Sequence, residues 1–465
     1  MNSIDKENYH YISVVSNRGS SFLASGFDGS LQFDCMLSSK QYLDGLHKSY
    51  FVLNATVNKA LVTTNDNATT IIYDAANSMG ISQNPASALF SSCESSINGV
   101  FAQRVEDFGV HSMVNKLLNE SLENQYESFS PMFLYNGDFK PIVKRNTDGT
   151  LSIVPVPDCI ESQNNINRNC IKNNTVETNV VPFIPLEVAV ATGFQIQIII
   201  PYPMIEPTGP EDETFLAGNT QITTIFQVRQ NYTSYLFQGL SVLPSDVVVN
   251  NFSWQIPVYV DKIPTGMPIE RKYIETNTQR KVHNNTQYTY SLSAATKKIV
   301  ICFTNSFDKE NEIYSIDGAT QNVVGFKNSM IPVNAGLLTL SINFNGNVYP
   351  FGGYDFSIGS VSNSYSRAYQ DYLDFSGSLD AGEHNLIKDF KTFMMHPVFI
   401  FNVKSSLNSV GSAMLTVNIT QEVPLPTPSP YDICLTSIHY KQLNIQYSDQ
   451  GVPLPPPDGT KFAVI

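Results

Sequence analysis

Charge is what this chain of 465 residues is shortest of. Asp, Glu, Lys and Arg make up 15% of it, against about 25% in an ordinary globular protein. Its 28 basic residues face 41 acidic ones, for a formal net charge of −13. Such a balance disfavours the nucleic-acid-binding classes, whose first requirement is a basic stripe along phosphates. Tryptophan occurs once, at Trp254. The six cysteines, at 35, 93, 159, 170, 302 and 434, include no Cys-x-x-Cys pair. They read as scattered thiols rather than a disulfide framework or a zinc site, with Cys159 and Cys170 as the one pair able to close a loop. No long apolar run exists either. The most apolar stretch, Gly193 to Ile205, is interrupted by Gln195, Gln197, Pro201 and Pro203, short of the roughly 20 residues a membrane span needs. Met1 to His10 lacks the basic start and apolar centre of a signal peptide, so a soluble chain without a secretory address is expected, its Asn-x-Ser/Thr triplets unmodified.

The motifs of common catalysts are missing as well. There is no phosphate-binding G-x-x-x-x-G-K-[ST], no G-x-G-x-x-G, no H-E-x-x-H and no G-x-S-x-G. The seven histidines (10, 47, 111, 283, 384, 396 and 439) stand singly, none paired at ligand spacing. His396, at the head of an apolar strand, reads as a satisfied, partly buried group rather than a base. Glu211-Asp212-Glu213 is the densest acidic cluster but lacks the alternating ligands of a calcium loop, and reads as a solvated turn. The basic pairs Arg271-Lys272 and Arg280-Lys281 read as parts of a solvated connector. Catalytic, cofactor-binding and metal residues are therefore all expected to be none, and the protein is expected not to be an enzyme.

What the chain does have is apolar mass in a period of two. Hydrophobic residues are 42% and aromatics 11%, enough for a large core and too much for a disordered chain. Leu338, Leu340, Ile342 and Phe344 alternate with Thr339, Ser341 and Asn343, the pattern of a half-buried strand. Similar runs are Phe194 to Ile200, Ile222 to Val228, Val247 to Val260, Lys298 to Phe303, Pro397 to Val403, Met414 to Thr420 and Ile438 to Tyr447. Trp254 falls in one of them and is expected simply to pack. Only two stretches have a helical period: Val110, Met113, Val114, Leu117 and Leu118, and then Tyr365, Ala368, Tyr369, Tyr372 and Leu373. Each is expected to lay one apolar stripe on a sheet.

A hairpin precedes each helix. Ala86 to Ile97, Asn98-Gly99 and Val100 to Val105 form the first; Leu337 to Phe344, Asn345-Gly346 and Asn347 to Phe356 form the second. Both are closed by the dipeptide of a type I′ turn. Hairpin, connection and helix thus recur about half a chain apart, which points to two copies of one β-sandwich with a helix on it. The join is expected within Lys262 to Asn285, a polar segment opened by Pro264, Gly266 and Pro268, dividing the chain into residues 1–262 and 263–465. Asn136 to Asn179 reads as a long exposed loop, and Pro424 to Pro430 and Pro453 to Pro457 as extended proline-rich segments.

The sequence order resembles one family. Ser96-Ile97-Asn98-Gly99 with the Gln103 strand, the Met113 to Leu118 helix and Glu123-Asn124-Gln125-Tyr126-Glu127-Ser128 resemble the first jelly roll of virophage and polinton-like virus major capsid proteins. The Gly193 to Tyr202 and Ile222 strands continue it. Tyr290 to Phe303, Leu340 to Gly346, Tyr369 to Leu373, Val398 to Val403 and Met414 to Ile419 resemble the second jelly roll. The resemblance implies an all-β chain of two tandem eight-stranded jelly-roll sandwiches with short flanking helices. It implies a homotrimer that forms a pseudo-hexagonal capsomer of an icosahedral shell, with penton and minor capsid proteins as further partners. The chain would be made in the host cytoplasm and located in the virion. Since it has no basic arm, the genome would be brought in by a separate packaging motor, without direct sequence-specific binding by this chain. The alternatives are a trimeric spike or adhesin-type β protein that binds a receptor or carbohydrate, and a jelly-roll hydrolase with carboxylates facing across a cleft.

Overall fold

In this computed structural model the described residues are 9–18, 29–57, 63–64, 71–72, 80–81, 89–119, 142–145, 151–154, 194–208, 215–216, 218–229, 237–238, 247–260, 269–305, 332–357, 365–375, 387, 390–404, 411–421, 429, 431–448, 453–454 and 460–464. Sixteen strands carry the architecture. In the first half they are β1 (Tyr9–Val15), β2 (Ser30–Met36), β3 (Tyr50–Val57), β4 (Phe90–Ile97), β5 (Val100–Glu106), β6 (Phe194–Pro201), β7 (Gln221–Val228) and β8 (Val247–Val260). In the second they are β9 (Ile269–Val282), β10 (Gln287–Ser293), β11 (Lys298–Asn305), β12 (Leu337–Phe344), β13 (Asn347–Asp355), β14 (Val398–Asn402), β15 (Ser412–Gln421) and β16 (Tyr431–Ile445). Helix α1 (Phe108–Asn119) follows β5; α2 (Ser366–Phe375) and α3 (Phe390–Met395) follow β13.

The wiring of the two halves is the same. The first sandwich pairs its strands in the orders β1-β8-β3-β6 and β2-β7-β4-β5; the second uses β9-β16-β11-β14 and β10-β15-β12-β13. Every strand of the second set is its counterpart in the first moved on by eight. These are two sandwiches of four-plus-four antiparallel strands, each in jelly-roll order. Short strands extend the sheets: Gln41–Asp44 pairs with β8, Phe215–Leu216 with Gln41–Asp44, and Lys461–Val464 with β16.

Local chemistry explains the recurrences. Both hairpins turn on residues with positive φ, Asn98 (51°) with Gly99 (74°) and Asn345 (51°) with Gly346 (81°), the backbone a type I′ turn requires. Along β12, Leu340, Ile342 and Phe344 are buried while Ser341 and Asn343 are not. The first core is aromatic. Phe33 meets Phe252 at 5.1 Å and 83°, and Phe51 meets Phe226 at 4.7 Å and 87°, edge-to-face contacts that each add about 0.5–1.5 kcal/mol beyond burial. Trp254 is fully buried there, as expected, and its Nε1–H donates to Ser49 Oγ at 3.0 Å.

Two expectations need correcting. Residues 269–285 do not form a connector: β9 occupies Ile269–Val282 and pairs with β16 along its whole length. It escaped the period-two pattern because both of its faces carry polar residues. Nor does α1 simply serve its own sheet. Val110, Met113, Val114 and Leu117 belong to the second hydrophobic core, while Tyr273, Leu443, Ile445 and Tyr447 belong to the first. Each sandwich thus places part of itself in the other's core.

Of the long loop Asn136 to Asn179, only the two-stranded hairpin of Ile142–Arg145 with Leu151–Val154 is described. Glu123 to Ser128, Cys159, Cys170, Glu211 to Glu213, Pro264, Gly266, Pro268 and His384 lie outside the described residues. Most of both proline-rich segments does too, although Pro453 forms an isolated bridge with Tyr447.

Candidate functional site

The most heavily built feature is the seam between the sandwiches. Main-chain pairing crosses it, because Glu206–Pro207, just past β6, adds to the edge of β9. Side chains of β9 then bond the backbone of β5: Tyr273 Oη–H donates to Ala102 O at 3.2 Å, and Thr278 Oγ1–H donates to Glu106 O. From the first half, the Gln103 Oε1 accepts Ile205 N–H at 3.1 Å. Asn98 Nδ2–H donates to Thr460 Oγ1 at 2.9 Å, and Thr220 Oγ1 and Tyr447 Oη share a hydrogen at 3.1 Å.

Charge enters the seam as a triad. Arg280 reaches Asp107 at 3.3 Å and Asp432 at 3.9 Å. Asp107 also starts α1: its carboxylate accepts Val110 N–H at 3.4 Å and its carbonyl accepts His111 N–H at 3.1 Å, the role of an N-cap. A second ionic group joins β9 to β16, with Glu275 at 2.9 Å from His439 Nε2 and 2.6 Å from Lys441 Nζ. Burial pushes the Glu275 carboxyl up, but the hydrogen bonds and charges of His439 and Lys441 outweigh it and hold the pKa below the usual carboxylate range.

His111 is buried at the centre. Its Nε2 lies 2.9 Å from Pro203 O, which can only accept, so Nε2 carries the proton; Nδ1 then accepts from Thr276 Oγ1 at 2.7 Å. Burial lowers its pKa to about 4. Beside it lies a cavity of about 100 Å³ lined in part by Glu206, Thr276, Lys298, Phe375 and Thr436. Burial raises the Glu206 pKa and lowers that of Lys298, and Lys298 Nζ–H is spent on Phe375 O at 2.8 Å. Among the described lining residues Glu206 is the one carboxylate, and both nitrogens of His111 are already bonded.

The other singled-out residues are dispersed. His283 packs in the second sandwich with Nδ1 2.9 Å from Tyr288 Oη, its pKa lowered by burial to about 4. His396 Nδ1–H donates to Pro332 O at 2.7 Å, which makes it the satisfied group expected, and fully buried. His10 is exposed on β1, and His47 lies on a short turn of 3-10 helix. The basic pairs separate on β9: Arg271 donates to Glu270 O at 2.8 Å, Lys281 donates to Thr289 O at 2.9 Å and sits over the Tyr290 ring, and Arg280 turns inward. Arg280 is the residue the sequence hid most completely, since only its register beside Thr276 and Thr278 points it into the seam. Cys35, Cys93, Cys302 and Cys434 are buried free thiols, Cys302 lying opposite Cys434 across β11 and β16. Among the described residues no group of three His, Cys, Asp or Glu is placed to hold a metal ion. No helix among them is long and apolar enough to cross a membrane.

No protein-family model matches the chain, and no curated protein does. Solved structures do. The chain is similar to one in the structure of the Sputnik virophage by cryo-EM, at 13% identity and a TM-score of 0.57, covering 98% of this chain and 88% of that one. It is similar to the mavirus major capsid protein, at 9% identity and a TM-score of 0.51, covering 100% and 91%. It is also similar to a chain of the PBCV-1 virus capsid, at 12% identity and a TM-score of 0.50, covering 96% and 97%. At such identities the likeness is one of fold, and the fold is the double jelly roll.

Proposed function

We propose that this chain is a structural major capsid protein: three copies form a pseudo-hexagonal capsomer, and capsomers assemble into an icosahedral virus shell. One observation carries this, the identical wiring of two sandwiches fixed side by side by the seam. Three such chains around a threefold axis present six similar walls, and rotational symmetry closes the ring without further components. The kinship of fold with the mavirus and PBCV-1 capsid chains supports the same reading, as does the seam's use of buried side chains for cohesion rather than reaction.

On this proposal the chain divides into a first jelly roll, 1–262, and a second, 263–465. Its principal partner is itself, joined in the shell by penton and minor capsid proteins; it is made in the host cytoplasm and resides in the virion. It performs no catalysis, binds no cofactor and has no direct sequence-specific binding to nucleic acid. Multi-angle light scattering and negative-stain imaging of the purified protein test this. The expected result is a trimer with a hexagonal outline, forming sheets or closed particles at high concentration. Monomers that stay dispersed at every concentration would refute it, and trimers with an elongated, non-tiling outline would favour a spike or adhesin instead.

A further inference from the structure

The most exposed large apolar side chain of those described is Phe351, at 94%. It stands on β13, which pairs only with β12 among the described strands and so leaves one edge open. The ladder is interrupted where Phe351 sits. Leu340 faces Tyr354 and Ile342 faces Tyr349, so Pro350, Phe351, Gly352 and Gly353 all stand opposite Ser341. Gly352 and Gly353 have φ of 80° and 71°, values that let the chain double back there. This excursion is held in place. Arg367 of α2 donates from Nη1 to Gly353 O at 3.2 Å and from Nη2 to Phe351 O at 3.1 Å. The phenyl ring is therefore a preformed projection, and an exposed aromatic on a fixed base is the usual form of an interface anchor.

The duplication supplies its partner. By strand order β13 is to the second sandwich what β5 is to the first, and β1 is to the first what β9 is to the second. Within one chain, β5 and β9 meet across the seam. Among the described strands none takes up that place for β13, and β1, paired there only with β8, matches it. On β1, Tyr11 is 43% and Val15 57% exposed, and the Tyr11 ring stands 5.5 Å from that of Tyr50. On β13, Val348 is exposed beside Phe351. Neither strand contains Lys, Arg or Glu, and the single carboxylate, Asp355, ends β13. Apart from Arg367 at the base of the elbow, the two strands offer apolar side chains with little charge, as in the core of a protein–protein contact.

We infer that Phe351 of one copy anchors the contact with the next copy, packing its ring on the Tyr11, Val15 and Tyr50 patch of that copy's first sandwich. The inference rests on the assembly proposed above and adds the surfaces that make it. Internal seam and external contact then alternate around the ring, and three copies close it.

The test uses the full chain. Phe351→Asp alters a solvent-facing side chain, so its circular dichroism and thermal midpoint should match the parent. Its trimer should dissociate at protein concentrations at least about 30-fold higher than those at which the parent does, the loss typical of removing an aromatic anchor. Val15→Asp, on the receiving face, should do the same. The pair Phe351→Cys with Val15→Cys should give covalent oligomers ending at the trimer under mild oxidation. A parent trimer that Phe351→Asp and Val15→Asp leave intact, without cross-linking of the cysteine pair, would overturn this inference and leave the capsid proposal standing. A parent chain that is monomeric throughout would overturn both, and if it bound lipid vesicles through Phe351 the projection would be a membrane contact instead.

Discussion

Replacing Arg280 by Met removes the only cation of the triad it forms with Asp107 and Asp432. Its side chain is 7% exposed and that of Asp432 5%, so water cannot take over its role. At an effective dielectric of about 20, separations of 3.3 and 3.9 Å correspond to roughly 5 and roughly 4 kcal/mol of attraction. Desolvation of three charged groups offsets most of that, so the triad as a whole adds little net stability. Removing the cation alone is different, because two carboxylates are left in the seam without the guanidinium that both reach. The expected loss is about 3–5 kcal/mol. Neutralising all three groups, as Asp107→Asn, Arg280→Met and Asp432→Asn, should recover at least half of it, since Asn still caps α1. Urea unfolding at fixed protein concentration measures both. Fluorescence of the sole tryptophan, Trp254, reports the first sandwich, and far-ultraviolet circular dichroism reports both. Because Arg280 lies on β9 and Asp107 leads into α1, the two signals should shift together. A loss below about 1 kcal/mol for Arg280→Met, or a triple variant no better than the single one, would refute the electrostatic account.

Acid should loosen the seam. His111 is held neutral in the fold with a pKa lowered to about 4 by burial, while an unfolded histidine titrates near 6.5. The unfolded chain therefore binds the extra proton first, so this contribution is complete above pH about 6.5, is lost as pH falls toward 4 and changes no further below. His111→Gln should flatten the stability profile across that window by up to about 3 kcal/mol; an unchanged slope in unfolding midpoints between pH 7 and 4 would count against the assignment. Gly99→Ala and Gly346→Ala meet open space at both turns, so only the positive φ is penalised, and each should lower stability by about 1 kcal/mol in thermal melts. Costs that differ severalfold between them would mean the two hairpins are not equivalent.

Strands with one apolar and one polar face could be read directly. Val247–Val260 emerged with the expected limits, and the two Asn-Gly hairpins and the helices behind them stood where the spacing put them. β9 could not be read in that way. Its Thr276, Thr278 and Arg280 face a seam made of hydrogen bonds and charge, so the burial that defines the strand leaves no hydrophobic trace. The period of α1 was visible, but amphipathicity says that a helix has an apolar stripe and not which core receives it. That choice depends on the second half of the chain, where Val110, Met113 and Leu117 are buried. The elbow at Phe351 went unnoticed for a different reason. Pro-Phe-Gly-Gly is an unremarkable turn composition until the register shows four residues standing opposite one.

Because the last part of β16 and the residues just after it deliver Leu443, Ile445 and Tyr447 into the first core, the early sandwich leaves the ribosome before the residues that seal it. An interrupted polypeptide keeps a raw apolar wall where those side chains belong, and so remains a substrate for chaperones and proteases. The order of synthesis thus ties completion of the first sandwich to completion of the whole chain.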